Sequence, residues 1–339
     1  MINLENGTAT MSDASILAFF AANHKQSLQP HLHVFLEEQM RKQALLIPLL
    51  ASCILLSGCA SQGTKLDQQI ASIGKITADS WDELQSLNSQ YKELDASGKQ
   101  DVKHYKDLES ALVECSKLRT DQQFSKDLKK SIHWRQKHAD DTDQAVLVDA
   151  ELAKLEKYRS ADFSSDTVKN SCTKYLEGLD TQKAALGEAL KSDEQIEWQK
   201  GMVLRYEALN ELYEEIGFLA TDDDFVSNYI AGLDKQKKLL TALEAIEADI
   251  DSQTDRIDNE VTWTDYSASF EVDNNTDYQF DSAWECSLKN ESGTVTENST
   301  CQVDNIKPHS RYTVTFYFSN PDSGYGGCEW NNYYTDIVY

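Results

Sequence analysis

From Leu66 to about Ile257 apolar residues recur at spacings of three and four with no proline among them. That is the pattern of helices each burying one stripe. The first predicted helix runs from Leu66 to Leu94, with Ile70, Ile73, Trp81, Leu84, Leu87 and Tyr91 on its stripe, and Ser97-Gly98 marks its end. A second starts near Asp101 and aligns Tyr105, Leu108, Leu112 and Cys115. Phe124 to His138 is less regular, and His138 to Asp143 reads as a polar turn. Helical spacing resumes through Val146, Leu152, Leu155 and Tyr158. After a break between Ala161 and Asp166, with Ser165 or Asp166 as the N-cap, Val168, Cys172, Tyr175, Leu176, Leu179 and Leu186 share a stripe. Two further helices cover Ile196 to Leu219 and Phe225 to about Ile257.

The pattern changes at Val261. Fifteen of the 32 aromatic residues lie in the last 79, and alternation replaces helical spacing in Tyr266 to Val272 and Tyr312 to Phe318. Period-two runs separated by Asp-Asn-Asn-Thr, Asn-Glu-Ser-Gly and Lys-Pro-His-Ser predict antiparallel strands of a small sandwich. A strand closing at Val272 to Thr276, a turn at Gly293 and Ile306-Lys307-Pro308 leading into Tyr312 to Phe318 together resemble FxLYD-type immunoglobulin-like domains of extracytoplasmic bacterial proteins. At the position that names the family this chain has Cys286-Ser287-Leu288-Lys289-Asn290, where only the leucine agrees.

A different pattern precedes the helices. Arg41 and Lys42, an apolar run from Ala44 to Leu56 and a small-residue close have the three-part layout of a secretory signal. With about 14 apolar residues interrupted by Pro48, the run is short of the roughly 20 a spanning helix needs. Leu56-Ser57-Gly58-Cys59 resembles the lipobox of bacterial lipoproteins. The resemblance implies a diacylglycerol on the Cys59 thiol and cleavage between Gly58 and Cys59. It makes Met40 the expected start and residues 1–39 an upstream over-extension, which removes His31 and His33 from the mature protein. Residues 59–64 become a lipidated tether. Ala60 and Ser61 supply no aspartate of the kind that retains lipoproteins in the inner membrane, so the implied location is the outer membrane facing the periplasm.

Charge narrows the partners. Three of 32 basic and four of 57 acidic residues precede Cys59, leaving 29 against 53, a net charge of −24. Such a surface repels nucleic acid and anionic headgroups, so the membrane contact is assigned to the anchor. In an oxidising compartment the remaining cysteines are candidate bridges. Cys115 and Cys172, each on an apolar stripe, would staple two helices. Cys286 and Cys301 flank a hairpin centred on Gly293-Thr294. Cys328 displaces one of those two, stays free or bonds another chain.

Candidate chemistry is sparse. His133 and His138 are five apart and do not share a helix face as metal ligands would. Asp222-Asp223-Asp224 lacks the ligand spacing of a calcium loop and is read as an N-cap. No HExxH, GxSxG, Walker A or dinucleotide glycine pattern occurs, and no cofactor or metal is expected. The glycine-rich stretch from Asn320 to Trp330 could present Tyr325 and Trp330 to a glycan or partner strand; the simpler alternative is a hairpin connection with its aromatics in the core. The expected architecture is α+β and multidomain: an all-α bundle or hairpin region at 65–260, then an immunoglobulin-like sandwich at 261–339. The expected role is that of a non-enzymatic interaction or structural lipoprotein with an envelope protein partner. A small-ligand-binding lipoprotein is the alternative, and a hydrolase of envelope polymers stands behind both.

Overall fold

The computed structural model describes residues 61–140, 142–186, 192–290, 292–319 and 325–338. The protein is mixed α and β, with two small antiparallel sheets at its C-terminal end. Its helices are α1 (Gln62–Ala71), α2 (Trp81–Glu93), α3 (Ala96–Asp101), α4 (Tyr105–His138), α5 (Gln144–Leu155), α6 (Asp166–Ala185), α7 (Ser192–Ile216), α8 (Leu233–Asp251) and α9 (Thr254–Glu260). A short helix Asp223–Phe225 and a π-helix Val226–Ile230 connect α7 to α8. The strands are β1 (Thr262–Trp263), β2 (Ser267–Asn274), β3 (Gln279–Asn290), β4 (Val295–Ile306), β5 (Ser310–Tyr317) and β6 (Tyr325–Val338). One sheet has the order β1-β2-β5 and the other β4-β3-β6.

Two compact units form, one up to Ser116 together with Lys137–Thr142, the other made of Lys117–Gln136 and Asp143–Tyr339. In the first, Leu66, Ile70, Leu84, Leu87, Leu108 and Cys115 share a core. The single helix expected from Leu66 to Leu94 is broken there: α1 ends at Ala71, and a capping box between Thr77 and Ser80 starts a new turn before α2. Ser97-Gly98 does not end that helix either. It lies inside α3, where the Asp95 carboxylate accepts from the Gly98 N–H at 2.6 Å. The stretch Phe124–His138 is continuous helix within α4.

The second unit holds two apolar clusters. The helical one gathers Phe124, Leu128 and Ile132 of α4, Val148, Leu152 and Leu155 of α5, Cys172, Tyr175 and Leu179 of α6, and Leu209 and Leu212 of α7. Burying each such side chain contributes roughly 1.5–3 kcal/mol. The other cluster is shared between sheets and helices. Phe270 and Phe316 from one sheet meet Trp284 and Leu288 from the other, and Ile246, Ile250 and Ile257 of α8 and α9 are buried in the same cluster. The composition change at Val261 is therefore not a boundary between units.

Glutamine side chains fasten these helices to strand backbones. Gln253 accepts from Asp273 N at 2.8 Å and donates to Asp273 O at 2.7 Å. Gln195 does the same at Thr335, at 3.1 and 2.5 Å. Each amide occupies strand hydrogen-bonding groups that would otherwise need another partner.

Candidate functional site

The most unusual chemistry lies inside the helices of the second unit, where Tyr175 of the α6 stripe meets polar and charged residues to which sequence patterning gave no role. Ser131 and Arg135 come from one face of α4, Glu151 from α5, Tyr175 and Gln182 from α6 and Arg205 from α7. Glu151 is fully buried and Arg205 only 3 % exposed. One Glu151 oxygen accepts from Arg135 Nη1 at 2.6 Å and from Arg205 Nη2 at 2.8 Å. The other accepts from Tyr175 Oη at 3.0 Å and Ser131 Oγ at 3.3 Å. Arg205 also reaches Gln182 Oε1 and Tyr175 Oη, each at 2.8 Å, and its guanidinium lies 4.9 Å from the Tyr175 ring centre. Arg135 Nη2 donates to Gln144 Oε1 at 2.9 Å.

Burial pushes the Glu151 carboxyl up, but the charges of Arg205 and Arg135 outweigh it and hold the group below the usual carboxylate range. Burial likewise drives the Tyr175 phenol upward, so it stays protonated and donates. One carboxylate between two guanidiniums leaves the cluster with a formal excess of one positive charge. Two buried donors, Arg205 Nε and Gln182 Nε2, have no protein acceptor.

Glycines make this geometry possible. Gly201 and Gly178 sit one turn before Arg205 and Gln182 on α7 and α6, where the two helices touch by backbone. A Cβ at 201 would stand 2.5 Å from the Gly178 carbonyl oxygen and 2.6 Å from Gln182 Cγ; one at 178 would stand 2.7 Å from Arg205 Cγ. Nothing wider than a hydrogen fits, so the long side chains cross between helices at close range. The sequence did carry a signal: Glu151 lies on the stripe of Val148, Leu152 and Leu155, and Arg205 on that of Ala208, Leu209 and Leu212.

The residues singled out from sequence fall elsewhere. Gly58 and Cys59 lie outside the described residues. Cys115 and Cys172 are buried as their stripes required, but neither is in a disulfide, so the expected bridge does not form. Cys115 Sγ donates to Thr77 O at 3.2 Å. Burial pushes the Cys172 thiol up to about 12, which keeps it protonated. The Cys286–Cys301 pairing also fails, because β3–β4 register sets Cys286 opposite Ser299 and Cys301 opposite Trp284. Cys301 is in no disulfide, whereas Cys286 is disulfide-bonded, as a bridge cysteine was expected to be, to a partner other than Cys115, Cys172 or Cys301. The open alternative, Cys328, pairs in register with Leu288, and its side chain lies outside the described residues.

Trp330 is half-buried and packs against the core of the sheets. Its ring is 5.2 Å from Phe270 and 5.7 Å from Trp284, and its indole N–H donates to Asp258 Oδ1 at 2.8 Å. Tyr325 opens β6 opposite Asn290, and its side chain lies outside the described residues. Asp222 is the N-cap expected of it, accepting from Phe225 N at 2.9 Å. His104, His133 and His309 each face one carboxylate, of Asp67, Asp222 and Asp277 respectively. Among the described residues no group of three or more His, Cys, Asp or Glu could hold a metal ion, and no helix is long and apolar enough to cross a membrane.

Comparison with protein-family models, curated proteins and solved structures finds no match to this chain.

Proposed function

We propose that this protein is a lipid-anchored component of the cell envelope that acts through binding or structural contact rather than catalysis. The observation that carries the reading is the order of features in residues 40–59: a basic pair, an apolar run too short to span, then Leu-Ser-Gly-Cys. On this reading the mature chain starts at Cys59, and acyl chains on that residue, each buried CH₂ contributing about 0.8 kcal/mol, hold it in the outer membrane. The helices are its body, a bundle whose charged exterior keeps it soluble beside the bilayer. The terminal sheets form an immunoglobulin-like sandwich, a reading supported by two antiparallel sheets with one shared aromatic core. Strand edges and loops left uncovered would contact an envelope protein partner.

Membrane fractionation tests the anchor. Cys59→Ser is expected to move the protein from the membrane pellet to the soluble fraction and to leave the signal segment uncut. A variant that stayed in the pellet and was processed normally would overturn the lipoprotein assignment.

A second reading, a lipoprotein that binds a small ligand, is favoured by one observation: the buried donors of Arg205 and Gln182 that have no protein acceptor.

A further inference from the structure

We propose that Asp281 and Asp336 form a pH-sensitive clasp at the C-terminal end of β6, closed when Asp336 carries a proton that it donates to Asp281 and loosened when both carboxyls are charged. The clasp stands on the sheet alone and holds whether or not the chain is lipidated.

Register brings the pair together. Asp281 of β3 and Asp336 of β6 are direct partners in the antiparallel ladder, and directly opposed side chains share one face with their Cβ atoms about 4.5–5.5 Å apart. Alternation puts that face on the outside of the sheet, since Phe280, Ser282, Thr335 and Ile337 are buried on the other. Both aspartates are nonetheless only half-exposed. Like charges directly opposed across strands repel, and partial burial strengthens the repulsion.

Among the described residues, the groups facing the pair bring dipoles and acids rather than cations. On the β3 side, Asp281 Oδ1 accepts from the Asn305 N–H of β4 at 2.6 Å, which leaves its second oxygen to accept from a protonated Asp336. On β6 itself, the Ile337 N–H bears on the Asp336 carboxyl, and burial followed by the charges of Asp336 and Asp281 drives the Tyr334 phenol upward. Of the helices packed on β6, α7 presents Gln195 to Thr335 with the acid Glu194 beside it, and α8 adjoins through the apolar cluster of Leu243, Ile246 and Ile337. Burial and the Asp281 charge together push Asp336 up to about 6, against the pull of the Ile337 N–H.

The clasp closes a segment that other contacts depend on. Register between β3 and β6 shifts at Ala283 and Trp284, so residues 334–338 form a short ladder set off from the rest of β6 by an irregularity. That ladder carries two attachments to the helices, Gln195 of α7 on the Thr335 backbone and Ile337 in the core shared with α8. Loosening it releases both, a local opening rather than global unfolding.

Because the folded Asp336 carboxyl lies above its ordinary value, its contribution to stability is full below the unfolded pKa and is lost as pH rises through about 6. The test compares urea unfolding of the purified protein with that of Asp336→Asn at about pH 4.5 and about pH 7.5, a difference in which the opposite response of Glu151 cancels. The folded-to-unfolded ratio of the variant relative to wild type should rise roughly tenfold or more over that interval. Two readouts need no stable variant. In wild type, hydrogen exchange at residues 334–338, corrected for its intrinsic pH dependence, should be slower at the lower pH, and carbon-13 NMR should show the Asp336 carboxyl titrating near pH 6. A variant advantage that does not change with pH, an Asp336 carboxyl titrating near the ordinary 3.8, or exchange at residues 334–338 as fast in mild acid as at neutrality would each overturn the proposal.

Discussion

Glu151→Ala is expected to destabilise the protein by about 3–5 kcal/mol, the range for removing one partner of a buried ion pair. Total stability of a folded domain is commonly only 5–15 kcal/mol, so the second unit should be near its unfolding threshold in this variant. The cost is largely the burial of two guanidiniums without their carboxylate, together with lost acceptors for Tyr175 and Ser131. Glu151→Gln separates the two contributions, since it retains volume and one acceptor oxygen but removes the charge. Urea titration followed by circular dichroism should place both variants well below wild type, with Gln the less damaged. A loss under 1 kcal/mol in Glu151→Ala would mean that water already reaches the cluster. The pH dependence has a definite sign. Because the folded carboxyl lies below its unfolded value, its stabilisation is full above the unfolded pKa and is lost as pH falls through the folded one. Acid should therefore weaken wild type relative to Glu151→Gln.

Gly201→Ala sets two effects against each other. Alanine is favoured over glycine inside a helix by about 1 kcal/mol, so an exposed glycine at this position would gain stability from the change. Here the added methyl would stand 2.5 Å from the Gly178 carbonyl oxygen, and backbone cannot swing aside as a side-chain tip can. Overpacking a well-packed contact commonly costs 1–3 kcal/mol. The expected net result is destabilisation by roughly 1–2 kcal/mol, because separating α6 from α7 also stretches the Arg205–Gln182 bond. Thermal unfolding of Gly201→Ala beside Gly74→Ala, a loop position where the added Cβ meets nothing within 4 Å, separates the steric cost at 201 from a contact-free methyl. A rise in Tm for Gly201→Ala would show that the helices can part without penalty.

Much of the scaffold was legible because burial imposes periodicity. The alternation from Tyr312 to Phe318 became a strand with Tyr312, Val314 and Phe316 buried, followed by buried Phe318. The stripe of Val168, Cys172, Tyr175, Leu176 and Leu179 became the buried face of α6. Apolar spacing says less about where a helix is interrupted. Ile73 continues the spacing of the first stripe, yet α1 has ended and the Thr77–Ser80 box restarts the chain. For Cys115 and Cys172 the inward position was read correctly as burial and incorrectly as a mutual bridge, since a buried thiol packs as a small apolar group without needing a disulfide.

The cluster itself was hidden for a related reason. Charged residues are usually assigned to the solvated face, and Arg135, Glu151 and Arg205 become a site only when three helices bring them together. Their offset onto apolar stripes was visible, but which carboxylate would meet which guanidinium depends on packing between α4, α5 and α7. Gly178 and Gly201 were equally plain as isolated glycines within helical sequence, a pattern that often has a packing reason.

The claim that the chain is anchored through Cys59 is tested most directly by mass spectrometry of the N-terminal peptide of protein extracted with detergent from membranes of a Gram-negative host. The expected peptide begins at Cys59 and carries the mass of a diacylglycerol group, with or without a further acyl chain on its amine. An unmodified peptide in which Gly58 remains joined to Cys59 would contradict both the lipid anchor and the envelope assignment that rests on it.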